Sequence, residues 1–220
     1  MTALGVTVLV VAKAPVRGLA KTRLAASIGE DAAADLAAAA LLDTLGAVAA
    51  APVQHRVVAM TGELQHASRG DEIARCLEGF SVVPQRGADF AERLANAHAD
   101  AFSGAPVLQI GMDTPQVTAD LLISCGRTLL GTDAVLGLAA DGGWWVLGVS
   151  RPAMAECLRT VPMSQPDTGA LTLSALRNNG IHVDLLDELA DFDTIDDLEG
   201  VRRRCAPASR FALAAEAVLA

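Results

Sequence analysis

Aromatic side chains are scarce: two Trp, five Phe and no Tyr in 220 residues. The core must therefore come mostly from Ala, Leu and Val, and readers of nucleic acid that stack bases on aromatic platforms are disfavoured. No C-x-x-C pair occurs. Cys76, Cys125, Cys157 and Cys205 lie far apart, as do His55, His66, His98 and His182, so the spacing of a zinc site is missing. Dispersed thiols of this kind read as small buried apolar residues in a reducing compartment. The apolar start "LGVTVLVVA" has no positive flank and is too short to span a bilayer, so it reads as a strand and the protein as cytoplasmic. Internal repeats, low-complexity linkers and long charge blocks are also absent. Only Ser150-Arg151-Pro152 hints at a subdivision, and residues 1–220 are expected to form one domain.

Acidic residues are missing from the first 29 positions. Lys13, Arg17, Lys21 and Arg23 precede Glu30 with no Asp or Glu among them, whereas 13 cations and 26 acids follow. The net charge of −9 should repel nucleic acid and anionic membranes, so neither is an expected partner. Four cations segregated in such a chain point to a local anion site.

The hydrophobic content of 52% excludes a disordered chain, and its patterning gives the organisation. Residues 4–12 form a continuous run rich in β-branched side chains, the mark of a strand buried on both faces. Ser27-Ile-Gly-Glu30 has capping-box spacing and is expected to open a helix with Leu41, Leu45 and Val48 on one face. Strands are expected at 55–61, 80–85, 105–113, 133–139 and 144–149, with a short one at 181–186. Asp89-Phe-Ala-Glu92 opens a helix carrying Phe90, Leu94, Ala97 and Ala101 at helical spacing. Further helices are expected near 118–130, at 168–178, and after Thr194 and Ala206. Strands alternating with helices predict an α/β fold with a mainly parallel sheet, and "ADGG" joins its one antiparallel hairpin.

A loop after the first strand of such a sheet lies at the carboxyl edge, where ligands bind. G-x-G-x-x-G is absent. "GLAKT" lacks the upstream Gly of a P-loop, and Ala20 stands before Lys21. What remains is a loop with Gly18 and clustered cations ahead of a helix, suited to a di- or triphosphate. A solvated loop would carry the same residues.

Asp113 ends the strand in "IGMDTPQV", where Pro115 stops its continuation. An acid there can hold Mg²⁺ or Mn²⁺ against phosphate oxygens, or serve the dipole of the following helix. "ADFDTIDDLEG" offers Asp191, Asp193, Asp196 and Asp197, and Thr194 with Asp197 forms a capping pair that accounts for part of this acidity. In "ADGGWWVLG" the two Gly allow close approach of a ligand, Asp141 can accept from hydroxyls, and one Trp can pack on a sugar face. A tight hairpin turn would satisfy the same residues. Adjacent Trp144 and Trp145 point to opposite faces, so one at most lines a pocket.

"AKAPVRGLAKTRL", the G-x-D-x-P element "GMDTP" and the D-G-G-aromatic hairpin, in that order, resemble the nucleotide-diphospho-sugar transferase-like proteins of GT-A fold. The similarity is to the family called arsenosugar-biosynthesis glycosyltransferase-like and, more distantly, to phospholactate guanylyltransferases. It covers nearly the whole chain and implies a three-layer sandwich. It also implies a nucleotide site of Ala12, Lys13, Gly18, Lys21 and Arg23, with Lys21 and Arg23 on the phosphates. Asp113 would bind the metal, and Asp193, matching the Asp before Thr in a D-x-D-T-P-E-D-L ending, would be its second ligand. Ile195 replaces the usual Pro. Gln85, Gly87 and Arg93 match the stretch bordering the nucleobase, or else form a surface loop and helix exterior. Asp141, Gly142, Gly143 and Trp144 would contact the sugar or acceptor, with Trp where Tyr is usual. "VPMSQPDTG" stands where the family has a Trp-Ser-Thr element and lacks the Trp. The implied activity is Mg²⁺- or Mn²⁺-dependent transfer from a nucleotide-activated sugar to a small-molecule acceptor, with Lys21, Arg23 and Asp141 as catalytic candidates. Its alternatives are nucleotidyl transfer from an NTP to a phosphorylated acceptor, and nucleotide binding without turnover.

Overall fold

The computed structural model describes residues 3–220; the first two residues of the expected domain lie outside it. A single seven-stranded sheet organises them, formed by β1 (Leu4–Lys13), β2 (Val53–Thr61), β3 (Ser81–Pro84), β4 (Val107–Gly111), β5 (Ala134–Ala139), β6 (Trp144–Val149) and β7 (Val183–Leu189). The strand order is β3-β2-β1-β4-β6-β5-β7, and only β6 runs against its neighbours. β1 pairs in parallel with both β2 and β4, and so needs apolar side chains on both faces. Val6, Val8 and Val10 enter one core cluster while Leu9 and Val11 enter the other. The α/β three-layer fold with its antiparallel hairpin is the one the sequence predicts.

The helices divide between the two faces. On the first lie α2 (Glu30–Ala50), α3 (Gly70–Leu77) and α5 (Ala119–Leu129), whose Leu41, Ile73 and Leu122 pack over β1 and β4. On the second lie α4 (Phe90–Ala101), a 3₁₀ segment (Pro152–Thr160) and α6 (Thr168–Asn178). A third cluster lies outside α2, where α1 (Thr22–Ile28), α7 (Ile195–Arg202) and α8 (Arg210–Leu219) cover Leu36, Ala39 and Ala40. Helix α2 is therefore apolar all round because it is sandwiched between the sheet and three helices. It is long and apolar enough to cross a membrane, yet most of that surface is buried by protein.

Local signals explain most element boundaries. Asp89 accepts from the Glu92 amide at 2.8 Å, and the Glu92 carboxylate accepts from Ala88 N at 2.8 Å. Thr194 and Asp197 form a complete capping box at the start of α7. The Asp43 carboxylate of α2 caps α8 by accepting from Phe211 N at 2.8 Å. One expected start is corrected. Ser27 lies within α1, and α2 begins at Glu30 behind Gly29, whose φ of 85° ends α1 and separates the two helices. The basic segment itself winds the extra turn. The expected strand at 181–186 is displaced to Val183–Leu189. Of the cysteines, Cys125 and Cys205 are buried, whereas Cys76 and Cys157 are only half-buried.

Candidate functional site

The carboxyl ends of β1, β2 and β4 and the amino end of antiparallel β6 share one edge of the sheet. A cavity of about 650 Å³ runs along it, touching Thr61, Lys13, Gly111 and Trp144 in turn. That volume is within the range of small-molecule sites, about 300–1,000 Å³. Ala12, Lys13, Arg23, Gln85, Arg93, Asp113, Asp141, Gly143, Trp144 and Asp193 line it, all of them singled out in the sequence. Lys21 lines an adjoining recess shared with Lys13, Arg23, Asp113 and Asp193.

Two segments remote in sequence bring the carboxylates together. Asp113 follows β4, while Asp191 and Asp193 follow β7. Between these last two, Phe192 is fully buried against Phe211, with ring centroids 4.5 Å apart. In an extended segment alternate side chains point to opposite sides, so anchoring Phe192 in the core turns Asp191 and Asp193 together toward the cavity. Gln116, buried in the turn after β4, donates through Nε2 to the Ala190 carbonyl and so ties the two acid-bearing segments to each other. Asp113, Asp191 and Asp193 each offer a carboxylate oxygen, and these atoms lie within 4.8 Å of one another.

Lys21 completes this cluster. Its Nζ donates to Asp113 Oδ2 at 2.8 Å and to Asp193 Oδ1 at 2.7 Å, and lies 4.3 Å from the Phe192 ring centroid. Its side chain is only 9% exposed, against 71% for Arg23, which donates to the other Asp193 oxygen. The backbone of Lys21 is left-handed, with φ 45° and ψ 52°, a conformation a non-glycine residue adopts only when its surroundings hold it there. The Lys21 ammonium is engaged by two acids, and Lys13 and Arg23 are the more exposed cations. Arg17 turns away altogether, pairing with Glu30 at 3.1 Å outside the cavity.

The electrostatics follow from this crowding. Burial opposes the charge of Lys21, but Asp113 and Asp193 raise its pKa above the ordinary lysine value. Burial likewise disfavours charge on Asp113, yet Lys21 beside it holds the carboxyl below its usual range. Asp191 forms no ion pair among the described residues, and burial, then the charges of Asp193 and Asp141, push it up to about 6 against a smaller opposing pull from Lys21. Asp113, Asp191, Asp193 and nearby Asp141 thus outnumber the buried cation. Oxygen donors in that excess suit a hard divalent ion. The sequence names Asp191 without assigning it to the cluster; the alternation Asp-Phe-Asp was the signal that it shares a face with Asp193.

The hairpin forms the far wall. Asp141 accepts from Gly143 N at 2.8 Å, closing the turn. Gly142, at φ 91°, accepts from Gly169 N at 2.8 Å, and a Cβ there would overlap the Pro166 carbonyl. Glycine is thus required for the turn to seat against the segment of Met163, Ser164, Gln165, Pro166 and Thr168, which also lines the cavity. Trp144 faces the cavity, while Trp145 is buried and donates to Asp187 O at 2.9 Å. Gly18, Gly87 and Gly142 line neither cavity and serve the backbone around them.

The opposite end has polar groups that sequence reasoning only partly found. Gln85 donates through Nε2 to the Ala12 and Ala59 carbonyls at 2.8 and 3.0 Å. Arg93 Nε is buried with no protein partner among the described residues. So is Oε1 of Gln109, a β4 residue that lines the cavity floor at 1% exposure and carries no motif.

Comparison with solved structures agrees with this architecture. A candidate nucleotide-diphospho-sugar transferase from Desulfovibrio desulfuricans G20 is 26% identical, with a TM-score of 0.84 over 100% of this chain and 97% of its own. Rv0371c of Mycobacterium tuberculosis H37Rv, solved with manganese, is 19% identical over 90% of this chain and 97% of its own, with a TM-score of 0.55. CMP:2-keto-3-deoxy-manno-octonic acid synthetase, solved with CTP, is 13% identical over 96% and 99%, with a TM-score of 0.51. The last two share the fold alone. No curated protein matches the sequence. Over residues 44–165, more than half of its length, the chain matches the family described as uncharacterized protein conserved in bacteria, and it belongs to that family, DUF2064.

Proposed function

We propose that the protein is a divalent-metal-dependent transferase that passes the sugar of a nucleotide-activated donor to a small-molecule acceptor, with residues 1–220 working as one domain. The observation carrying this reading is the convergence of Asp113, Asp191 and Asp193 beside Lys13, Lys21 and Arg23, inside a cavity of nucleotide-sugar size. The whole-length likeness to the Desulfovibrio protein supports it.

Asp113, Asp191 and Asp193 would hold Mg²⁺ or Mn²⁺. When bound, the ion supplies positive charge that stabilises a diphosphate leaving group. Lys13 and Arg23 add charge to the same end, and Lys21 fixes the spacing of two of the acids. Gln85, Arg93 and Gln109 border the base. At the far wall, Trp144 offers an apolar face to a sugar and Asp141 an acceptor for its hydroxyls. An acceptor hydroxyl oxygen attacks the anomeric carbon and the bond from that carbon to the phosphate oxygen breaks. Its electron pair leaves with the nucleoside diphosphate, and the hydroxyl proton passes to a base, for which Asp141 is the candidate.

The test is thermal stabilisation by nucleotide-sugars and NTPs, each with and without Mg²⁺ or Mn²⁺, followed by product analysis. A ligand at 100 times its Kd stabilises by about 2.7 kcal/mol. A metal-dependent shift with one nucleotide-sugar, and nucleoside diphosphate as product, is expected. Pyrophosphate released from an NTP would replace glycosyl by nucleotidyl transfer. Nucleotide binding that never leads to turnover would leave a binding protein.

A further inference from the structure

The charges lining the cavity are sorted along the sheet edge. Its cations, Lys13, Arg23 and Arg93, belong to the end of β1, to α1 and to α4, and Arg23 meets the acids by donating to Asp193. Its acids, Asp113, Asp141, Asp191 and Asp193, follow β4, β5 and β7. The wall beyond the carboxylate cluster is made by Asp141, Trp144, Met163, Ser164 and Gln165, and Asp141 is its one charged group among the described residues.

We infer that the acceptor is a hydroxyl-bearing molecule that is uncharged or carries an amine, and not a phosphate ester. The inference rests on the transferase reading above. A donor diphosphate and its metal occupy Lys13, Arg23 and the cluster of Asp113, Asp191 and Asp193, leaving the acceptor to face Asp141 with no basic side chain in that wall to offset it. A phosphomonoester brings a charge of about −1.5 to −2 at neutral pH. Like charges brought together in a partly desolvated site are costly and so exclude a wrong ligand. Hydroxyls and ammonium groups, by contrast, donate to carboxylates. The fixed hairpin reinforces this. Gly142 seats against Pro166 and Gly169 with no room for a Cβ, so the hairpin and the segment after Pro162 form one packed wall.

The experiment supplies the full-length protein with Mn²⁺, the nucleotide-sugar that stabilises it, and a small-molecule extract of bacterial cells as the source of acceptor. Half of the extract is treated with immobilised alkaline phosphatase, which is removed before the donor is added. Released nucleoside diphosphate is measured with each half. The expected result is release that changes less than two-fold after phosphatase. A ten-fold or greater loss overturns the inference and leaves the transferase reading standing. No release from either half, while the nucleotide-sugar still stabilises the protein, overturns both. As a second measurement, glucosamine and glucosamine 6-phosphate are compared as competitors. The amine should compete at least ten-fold better, and Gln165→Arg should narrow that ratio to below three-fold. A wild-type preference for the phosphate overturns the inference.

Discussion

The two ends of the cavity are held by different means. The cationic end is the more exposed: Arg23 is held only through Asp193, and Lys13 Nζ reaches only the Leu19 carbonyl, at 3.1 Å. The acidic end is locked by packing across long sequence separations, through Phe192 against Phe211, Gln116 to Ala190, and Gly142 against Pro166. Charges on exposed side chains can follow a flexible diphosphate, whereas carboxylates that share a cation or orient a hydroxyl must be fixed in advance. Lys21 belongs to the rigid end although its sequence neighbours belong to the exposed one.

The largest effect should come from removing a carboxylate at the rigid end. Asp113→Ala is expected to lower turnover by about 10³-fold, the scale of losing a preorganised electrostatic group. It should also abolish the metal-dependent part of nucleotide stabilisation, read by thermal shift, while metal-independent binding persists. If turnover survives within ten-fold, the carboxylate end is not the reaction centre.

Phe192→Ala tests whether packing alone aims the acids. Loss of a fully buried Phe should destabilise the fold by about 3 kcal/mol, seen in urea unfolding, with a lower midpoint and unchanged slope. Metal affinity should fall as well, although no ligand was removed. A destabilised variant that binds Mn²⁺ like wild type would show that Asp191 and Asp193 are positioned some other way.

Lys21→Met sharpens the division further, with a smaller effect. Its ammonium sits between acids that are partly exposed, with side-chain exposures of 39% for Asp113 and 22% for Asp193, so the cost of leaving them unpaired is about 2 kcal/mol, below that of a fully buried pair. Added Mn²⁺ should recover that stability in Lys21→Met more than it stabilises wild type. Equal gains in both would mean that lysine and ion do not share the acids.

The same contrast explains what the sequence made legible. The cationic loop, the strand-end Asp113 and the D-G-G turn are each written in a few consecutive residues, whose chemistry and backbone preferences are local. So are the caps at Asp89 and Thr194, and the three-layer fold follows from alternating strand and helix patterns. The site was legible as a set of parts. Their convergence was not, because it depends on which side chains are buried: Phe192 sends Asp191 and Asp193 to one side, and Lys21 is withdrawn from the loop it was read with. Gln109 and Gln116 lie in stretches where no pattern marks a polar residue, and only the tertiary packing gives them a place. The misplaced start of α2 has a local cause, since Ser27 and Glu30 match a capping box that Gly29 breaks.

The smallest effect per step concerns the cationic end, where α4 carries Arg93 on one turn and His98 on the next. His98 is fully buried, both ring nitrogens lack a partner among the described residues, and burial lowers its pKa to about 3. In the unfolded chain the imidazole titrates near its ordinary value of about 6.5. Between those two values the unfolded state binds a proton that the folded state refuses, so acid favours unfolding. This group contributes no pH dependence above about 6.5, and below it stability falls by about 1.4 kcal/mol per pH unit until the folded-state value is approached. Asp191, raised to about 6, opposes that slope in both proteins, so the readout is the difference between wild type and His98→Leu: unfolding measured from pH 7.5 to pH 4.5 should show the variant losing less stability by about that slope. Should the variant keep the wild-type slope, the acid sensitivity belongs to the carboxylate end, and α4 supports the cavity without a titrating group beneath it.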